Sequence, residues 1–230
     1  MNFSYDALGR RCAKYVTPYQ NNQPLSQTRT DFLWDGDVLL AEQSVVIDPL
    51  RDDDPPPATF TQPDVVYIHR PNSFEPLMQL RPPAEEDLPK EDFLPQPTFS
   101  VYYYLNDHLG TPQEMLDKRG NLVWQALTSP YREILKLKEN KIPNPIRLPG
   151  QYADEESGLY YNRFRYYHPQ DGSYLSKDPI GLLGGINLYD YPRDPVNWGI
   201  RWGCKGRVVV LVLTGKEIRL KHMKDINGVH

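Results

Sequence analysis

Carboxylates, imidazoles, thiols and guanidiniums are the side chains through which this chain could do chemistry, and their spacing removes most of the options. Glu155 and Glu156 are the only adjacent glutamates in a tyrosine-rich setting. Neighbours along an extended strand or loop point opposite ways, so they cannot flank one scissile bond as a glycosidase pair. Histidines stand at 69, 108, 168, 222 and 230, and none has metal-ligand spacing. His108 lies in a turn between strands, where a hydrogen-bonded structural role is expected. Cys12 and Cys204 sit near opposite ends, without a C-x-x-C pair, which argues against structural zinc and against a disulfide framework. Arg163 and Arg165 alternate with tyrosines as in base-stacking strands, but the same alternation suits an exposed strand face. With a net charge of -4, nucleic acid is not expected as a partner. There is no nucleophile elbow, phosphate loop or zinc signature. What remains is Asp178, in an Asp178-Pro179 step that opens a bend carrying Gly181, Gly184 and Gly185. Its plainest role is to cap that bend.

The elements that must position these residues read as strands and tight turns. Sixteen tyrosines, 23 prolines and 15 glycines in 230 residues, with 39% hydrophobic residues, describe short strands and many loops around a lean core. No segment sustains a helical period. Residues 3–16 form a hairpin around Asp6-x-x-Gly9, and Thr30–Glu42 form a second with Asp35-Gly36 as its two-residue connection. Residues 48–98 hold twelve of the 23 prolines and are read as a loop, insertion or linker interrupted by one strand at 64–70. Strands return at Val101–Leu105, Gln113–Leu116 and Leu122–Ala126, while Tyr131–Lys141 fits a short helix or a strand. Leu159–Tyr167 reads as one strand with neither face purely apolar, suited to being wet on both sides, and Tyr174-Leu175 opens another. Asp6-x-x-Gly9, Asp117-x-x-Gly120, Asp154 to Gly158 and Asp171-Gly172 are four turns of one chemistry, a degenerate repeat of stacked hairpins. The start lacks the apolar core of a signal peptide, and Val208–Leu213 is too short to span a bilayer. A cytoplasmic location follows for the chain as given, with no membrane, small-molecule, cofactor or metal partner expected. A strand placed at the very start, without a neighbour, suggests the tail of something longer.

The Tyr5-Asp6 and Gly9-Arg10 hairpin is similar to a YD repeat, and later segments extend the likeness. Asp107-His-Leu-Gly-Thr-Pro112, Gly120-Asn-Leu-Val-Trp124, Gly158-Leu-Tyr-Tyr-Asn-Arg-Phe-Arg-Tyr-Tyr167 and Asp178-Pro-Ile-Gly-Leu182 through Tyr189 resemble, in order, the C-terminal core of Rhs proteins over roughly residues 1–198. The resemblance implies a mainly β fold of stacked antiparallel hairpins, an arc of an Rhs shell with a long Pro-rich loop. On this view 1–47 are YD-repeat hairpins, 48–98 an insertion or linker, 99–198 the repeat-associated core and 199–230 a divergent tail. Rhs shells enclose a C-terminal toxin that is freed by aspartate-dependent self-cleavage just after a second D-P-x-G-L motif. By that carry-over Asp178 is the catalytic candidate. Such chemistry needs two carboxyls sharing a proton, and where the family places an aspartate after Arg-Tyr-Tyr this chain has His168. Asp171, Asp190 and Asp194 are the nearby acids, none fixed by spacing. The second motif should follow Pro195-Val-Asn-Trp198, but Gly199-Ile-Arg-Trp-Gly-Cys204 stands there. Those six residues can be encoded by GGG ATC CGC TGG GGT TGC, which read from the third base gives Asp-Pro-Leu-Gly-Leu, so an out-of-frame tail is expected. The reading is a non-catalytic shell fragment and degenerate toxin remnant. Its alternative is a self-cleaving core end. Partners would be other Rhs core segments or a second copy, met through exposed strand edges.

Overall fold

The computed structural model describes residues 1–47, 59–83, 99–184 and 186–191, together with the backbone of 198–200, 208–214 and 217–222. Its elements are antiparallel strands and one 3-10 turn at Gly181–Gly184, with no α-helix among the described residues. The chain divides into two units, Met1–Ile68 with Leu77–Tyr103, and His69–Pro76 with Tyr104–His230.

The first unit is a meander. Strands β1 (Asn2–Tyr5), β2 (Arg11–Val16), β3 (Tyr19–Gln20), β4 (Gln23–Pro24), β5 (Gln27–Asp35), β6 (Val38–Ile47), β7 (Val65–His69), β8 (Pro76–Arg81) and β9 (Ser100–Asn106) follow in chain order. They lie side by side as β1-β2-β5-β6-β7-β8-β9, with β3 and β4 a separate two-stranded ribbon. Asp35 pairs with Val38, so the second hairpin closes through Gly36 and Asp37, one residue later than the sequence suggests. Gly36 takes φ of 57°, a conformation that costs glycine nothing. Phe32, Val65 and Tyr67 are buried in this sheet, and the Tyr67 hydroxyl donates to Glu42 at 2.6 Å. β8 was not expected. Its Pro76 opens the strand, the one interior-compatible place for a residue without a backbone N–H.

The second unit continues with β10 (Pro112–Asp117), β11 (Leu122–Thr128) and β12 (Ile134–Asn140), then a four-stranded sheet of β13 (Tyr152–Asp154), β14 (Leu159–Asn162), β15 (Arg165–His168) and β16 (Ser173–Tyr174). Three further strands, β17 (Trp198–Ile200), β18 (Val208–Thr214) and β19 (Glu217–His222), pair among themselves. Within Tyr131–Lys141, Ile134–Asn140 resolves as strand, because alternating Leu135, Leu137 and Lys136, Lys138 have period two and not 3.6, while Tyr131 and Arg132 belong to the preceding turn.

Two corrections concern the tyrosine-rich stretch. Leu159–Tyr167 is not one strand but a hairpin: Asn162 pairs with Arg165 across the two-residue loop Arg163-Phe164, with Arg163 at φ of 49°. Nothing in the sequence announces it, since hairpin loops normally advertise themselves with glycine or asparagine. The hairpin inverts the face assignment. Tyr160 pairs with Tyr167 and Tyr167 with Tyr174, so these rings share a face. They are not wet. With Leu109, Leu148, Ala153 and Tyr191 they form a buried cluster, with ring centroids 4.5 Å apart for Tyr167–Tyr191 and 5.6 Å for Tyr167–Tyr174. Burial pushes the Tyr167 phenol far above its ordinary range.

The repeated turn is real but distributed differently. At Asp6, Asp107 and Asp117 one pattern recurs: the glycine three residues on donates to the aspartate carbonyl at 3.0 Å, and the aspartate N–H donates to the carbonyl of the fourth residue on at 2.9 Å. The carboxylate Oδ1 accepts from residues two and four positions ahead, for example Leu109 at 2.9 Å and Thr111 at 3.0 Å. The glycines take φ of 75°, 81° and 83°. Asp154 and Asp171 do not belong to this set. Gly158 N–H reaches the Asp154 carbonyl four residues back, and Gly172 N–H that of His168.

Candidate functional site

Asp178 is 5% exposed and sits at the start of the bend that leaves the tyrosine sheet. The local sequence builds a turn. Pro179 fixes φ at the second position, and Gly181, at φ of 60°, closes it by donating to the Asp178 carbonyl at 2.9 Å. The Asp178 Oδ1 accepts from Ile180 N–H at 3.1 Å, so the side chain holds its own turn. Ten residues later the chain returns, where Asp178 N–H donates to the Leu188 carbonyl at 2.9 Å and Tyr174 N–H to that of Tyr189 at 2.9 Å.

The other carboxylate oxygen, Oδ2, faces Arg165 at 3.1 Å, with both side chains almost wholly excluded from solvent. Three contacts fix the guanidinium. Besides Asp178, it donates to the Leu188 carbonyl at 3.0 Å, and it lies 3.6 Å from the centroid of the Tyr174 ring. Tyr174 is in turn held through its hydroxyl, which accepts from Asn162 Nδ2 at 3.0 Å. The hairpin loop Arg163-Phe164 is what brings Arg165 here, because it turns the chain so that Arg165 lies beside Asn162. One arginine therefore ties both ends of the 178–188 bend to the sheet. A buried pair of this kind is sustained only when its remaining donors and acceptors are met, and loss of one partner leaves an uncompensated charge.

Other predicted residues lie apart from this arrangement. Asp171 is exposed and faces His168 Nδ1 at 3.0 Å. Asp190 is half-buried, its backbone bridged to Ser173. Asp194, Cys204 and His230 fall outside the described residues. His108 is the exposed second residue of the Asp107 turn, and Glu155 and Glu156 are exposed in the β13–β14 connection. His69, at the end of β7, has its pKa pushed down to about 4 by burial. Among the described residues no cluster of histidine, cysteine or acidic side chains could hold a metal ion. Arg165 is the residue that sequence reasoning misplaced. Taken for an exposed strand residue, it is 1% exposed and forms a buried ion pair with Asp178.

This combination of meandering hairpins, Asp-x-x-Gly turns and a tyrosine-cored sheet ending in an Asp-Pro bend defines an Rhs-type repeat protein. A family model described as RHS protein matches residues 101–138. The toxin protein Tse5 of Pseudomonas aeruginosa is 35% identical over 93% of this chain and 16% of its own length. The double-stranded DNA deaminase toxin A of Burkholderia cenocepacia is 30% identical over 89% of the chain and 14% of its own. The crystal structure of TcdB2-TccC3 matches 87% of the chain and 9% of that protein with a TM-score of 0.64 at 22% identity, a likeness of fold. The chain belongs to the Rhs family. It spans about a sixth of the first of these relatives.

Proposed function

We propose that this chain is a non-catalytic segment of an Rhs toxin-encapsulating shell and a degenerate remnant of a polymorphic toxin. The observation that carries this reading is the occupation of both Asp178 oxygens, one by Arg165 and one by the Ile180 N–H. A carboxylate so engaged on both oxygens serves as a fastener for the bend. The toxic activities named for the relatives belong to proteins six to seven times longer, and this chain carries the β-hairpin portion they share. On the same reading, residues 199–230 are an out-of-frame tail, and sequencing the gene across the Trp198 codon tests that: no single-base shift opening a D-P-x-G-L frame would end the idea.

The alternative reading, aspartate-dependent self-cleavage, draws support from the burial of the Arg165–Asp178 pair, since buried charge at a bend is a frequent mark of a working site. Intact mass separates the two. The expressed chain should stay at 26.7 kDa. A cut close to residue 198 that disappears in Asp178→Asn would overturn the structural reading. As partners we propose other Rhs segments pairing with β12, which among the described residues has a neighbouring strand on one side only and is exposed along most of its length. Co-purification with a complete Rhs core tests this, and no complex at any salt concentration counts against it.

A further inference from the structure

The turn between β11 and β12 repeats the hydrogen-bond pattern of the Asp-x-x-Gly turns with neither signature residue. Arg132 N–H donates to the Ser129 carbonyl at 2.9 Å, Ser129 N–H to the Glu133 carbonyl at 2.9 Å, and Glu133 N–H to Ser129 Oγ at 3.2 Å. Serine thus takes the aspartate's place and arginine the glycine's. The second exchange is costly, because Arg132 is held at φ of 68°, where a side chain is strained. Strain of this kind persists only where surrounding contacts over-determine it.

Four contacts do so, all directed at one neighbour or another in the same unit. The Arg132 guanidinium reaches Asp107 Oδ2 at 2.8 Å, with side chains 9% and 17% exposed. Its carbonyl accepts from the Tyr160 hydroxyl at 2.9 Å, and the Tyr131 carbonyl accepts from the Tyr167 hydroxyl at 3.0 Å. The Tyr131 ring lies against Gly172, so closely that an added Cβ would stand 2.8 Å from it. The Asp107 turn, for its part, places Leu109 in the tyrosine cluster. Both turns therefore dock on the sheet β13–β16, and Arg132 joins them to each other.

We propose that the Ser129–Arg132 turn is a conformational latch: a repeat turn converted into a strut, whose release lets the tyrosine sheet and its Asp178 bend open as a unit while the β10–β11 hairpin stays folded. The proposal is independent of whether the bend ever cleaves. Opening in such a contiguous block is how local stability is distributed in folded domains.

Hydrogen exchange on the full chain tests it. Arg132→Gly restores the residue the turn geometry favours and removes the Asp107 partner. Exchange of amides in β14–β16 should accelerate about tenfold or more, with β10 and β11 changed by less than about threefold. Tyr160→Phe with Tyr167→Phe removes only the two hydroxyl contacts and should reproduce the regional pattern, which keeps the test open if Arg132→Gly does not fold. Unchanged exchange in β14–β16, or an equal acceleration across the unit in the tyrosine pair, overturns the latch.

Discussion

Asp178→Asn removes one charge from the buried pair while keeping the size and shape of the side chain. Asparagine keeps an oxygen in the Oδ1 position, so the acceptor for Ile180 N–H survives. It also fits the turn before Pro179. What is lost is the charge and the acceptor facing Arg165, where the amide NH2 now meets the guanidinium donor to donor, in a site where the two side chains are 0% and 1% exposed. Stripping one member from a buried pair costs about 3–5 kcal/mol, because the remaining ion keeps its desolvation penalty without its partner. Arg165 retains the Leu188 carbonyl and the Tyr174 face, and a cation over a ring in a dry site contributes about 2 kcal/mol. Those contacts hold the guanidinium in place in the variant, so the lower end of the range, about 3 kcal/mol, is expected. That corresponds to roughly a hundredfold faster exchange for amides of β15, β16 and the 178–188 bend, read by hydrogen exchange at neutral pH. A paired replacement, Arg165→Met with Asp178→Leu, removes both charges and should cost markedly less than Asp178→Asn alone. If Asp178→Asn changes local stability by less than about 1 kcal/mol, the pair is not the fastener inferred here.

Further outcomes follow from other sites. His69 is held neutral, its pKa near 4 against 6.5 in the unfolded chain, so the unfolded state binds a proton that the fold refuses. Stability should fall as pH drops from about 6.5 toward 4, by at most about 3 kcal/mol and by less than that because the ring is only half-buried; thermal melts of His69→Asn should be flatter over this window. Asp6 and Asp117 are desolvated, which raises their pKa, but hydrogen bonds from Arg10 and Leu8 and from Asn121 and Arg119 hold both below 3.8. Their contribution is present above that value and lost as pH falls through the lowered pKa, so carboxyl titration by NMR should place both below 3.8. Gly120→Ala, with open space around its Cβ at φ of 83°, should cost about 1–2 kcal/mol, whereas Gly172→Ala adds a collision with the Tyr131 ring and should cost at least about 1 kcal/mol more by chemical denaturation. The Cys12 thiol is pushed up by burial and by Asp6 and Asp31, so its alkylation at pH 8, followed by peptide mapping, should be slower in the fold than in denaturant.

A strand-rich chain, the turns at Asp6 and Asp117 and the family were legible in the sequence. Those are local or period-two signals: glycine reports a positive φ at Gly9 and Gly120, and alternation reports a strand at Val101–Leu105. Asp178 was legible as a turn residue because proline and glycine flank it. The tertiary structure alone decided where the tyrosines go. A single non-glycine residue, Arg163, adopts a left-handed φ and folds Leu159–Tyr167 back on itself, which exchanges the faces of every residue after it. No composition signal marks that loop, since neither Arg163 nor Phe164 is a residue type that favours a left-handed φ. Arg165 and Arg132 were hidden as well. Each looks like a solvated cation in one dimension, and each finds its carboxylate 13 or 25 residues away only when the hairpins are stacked.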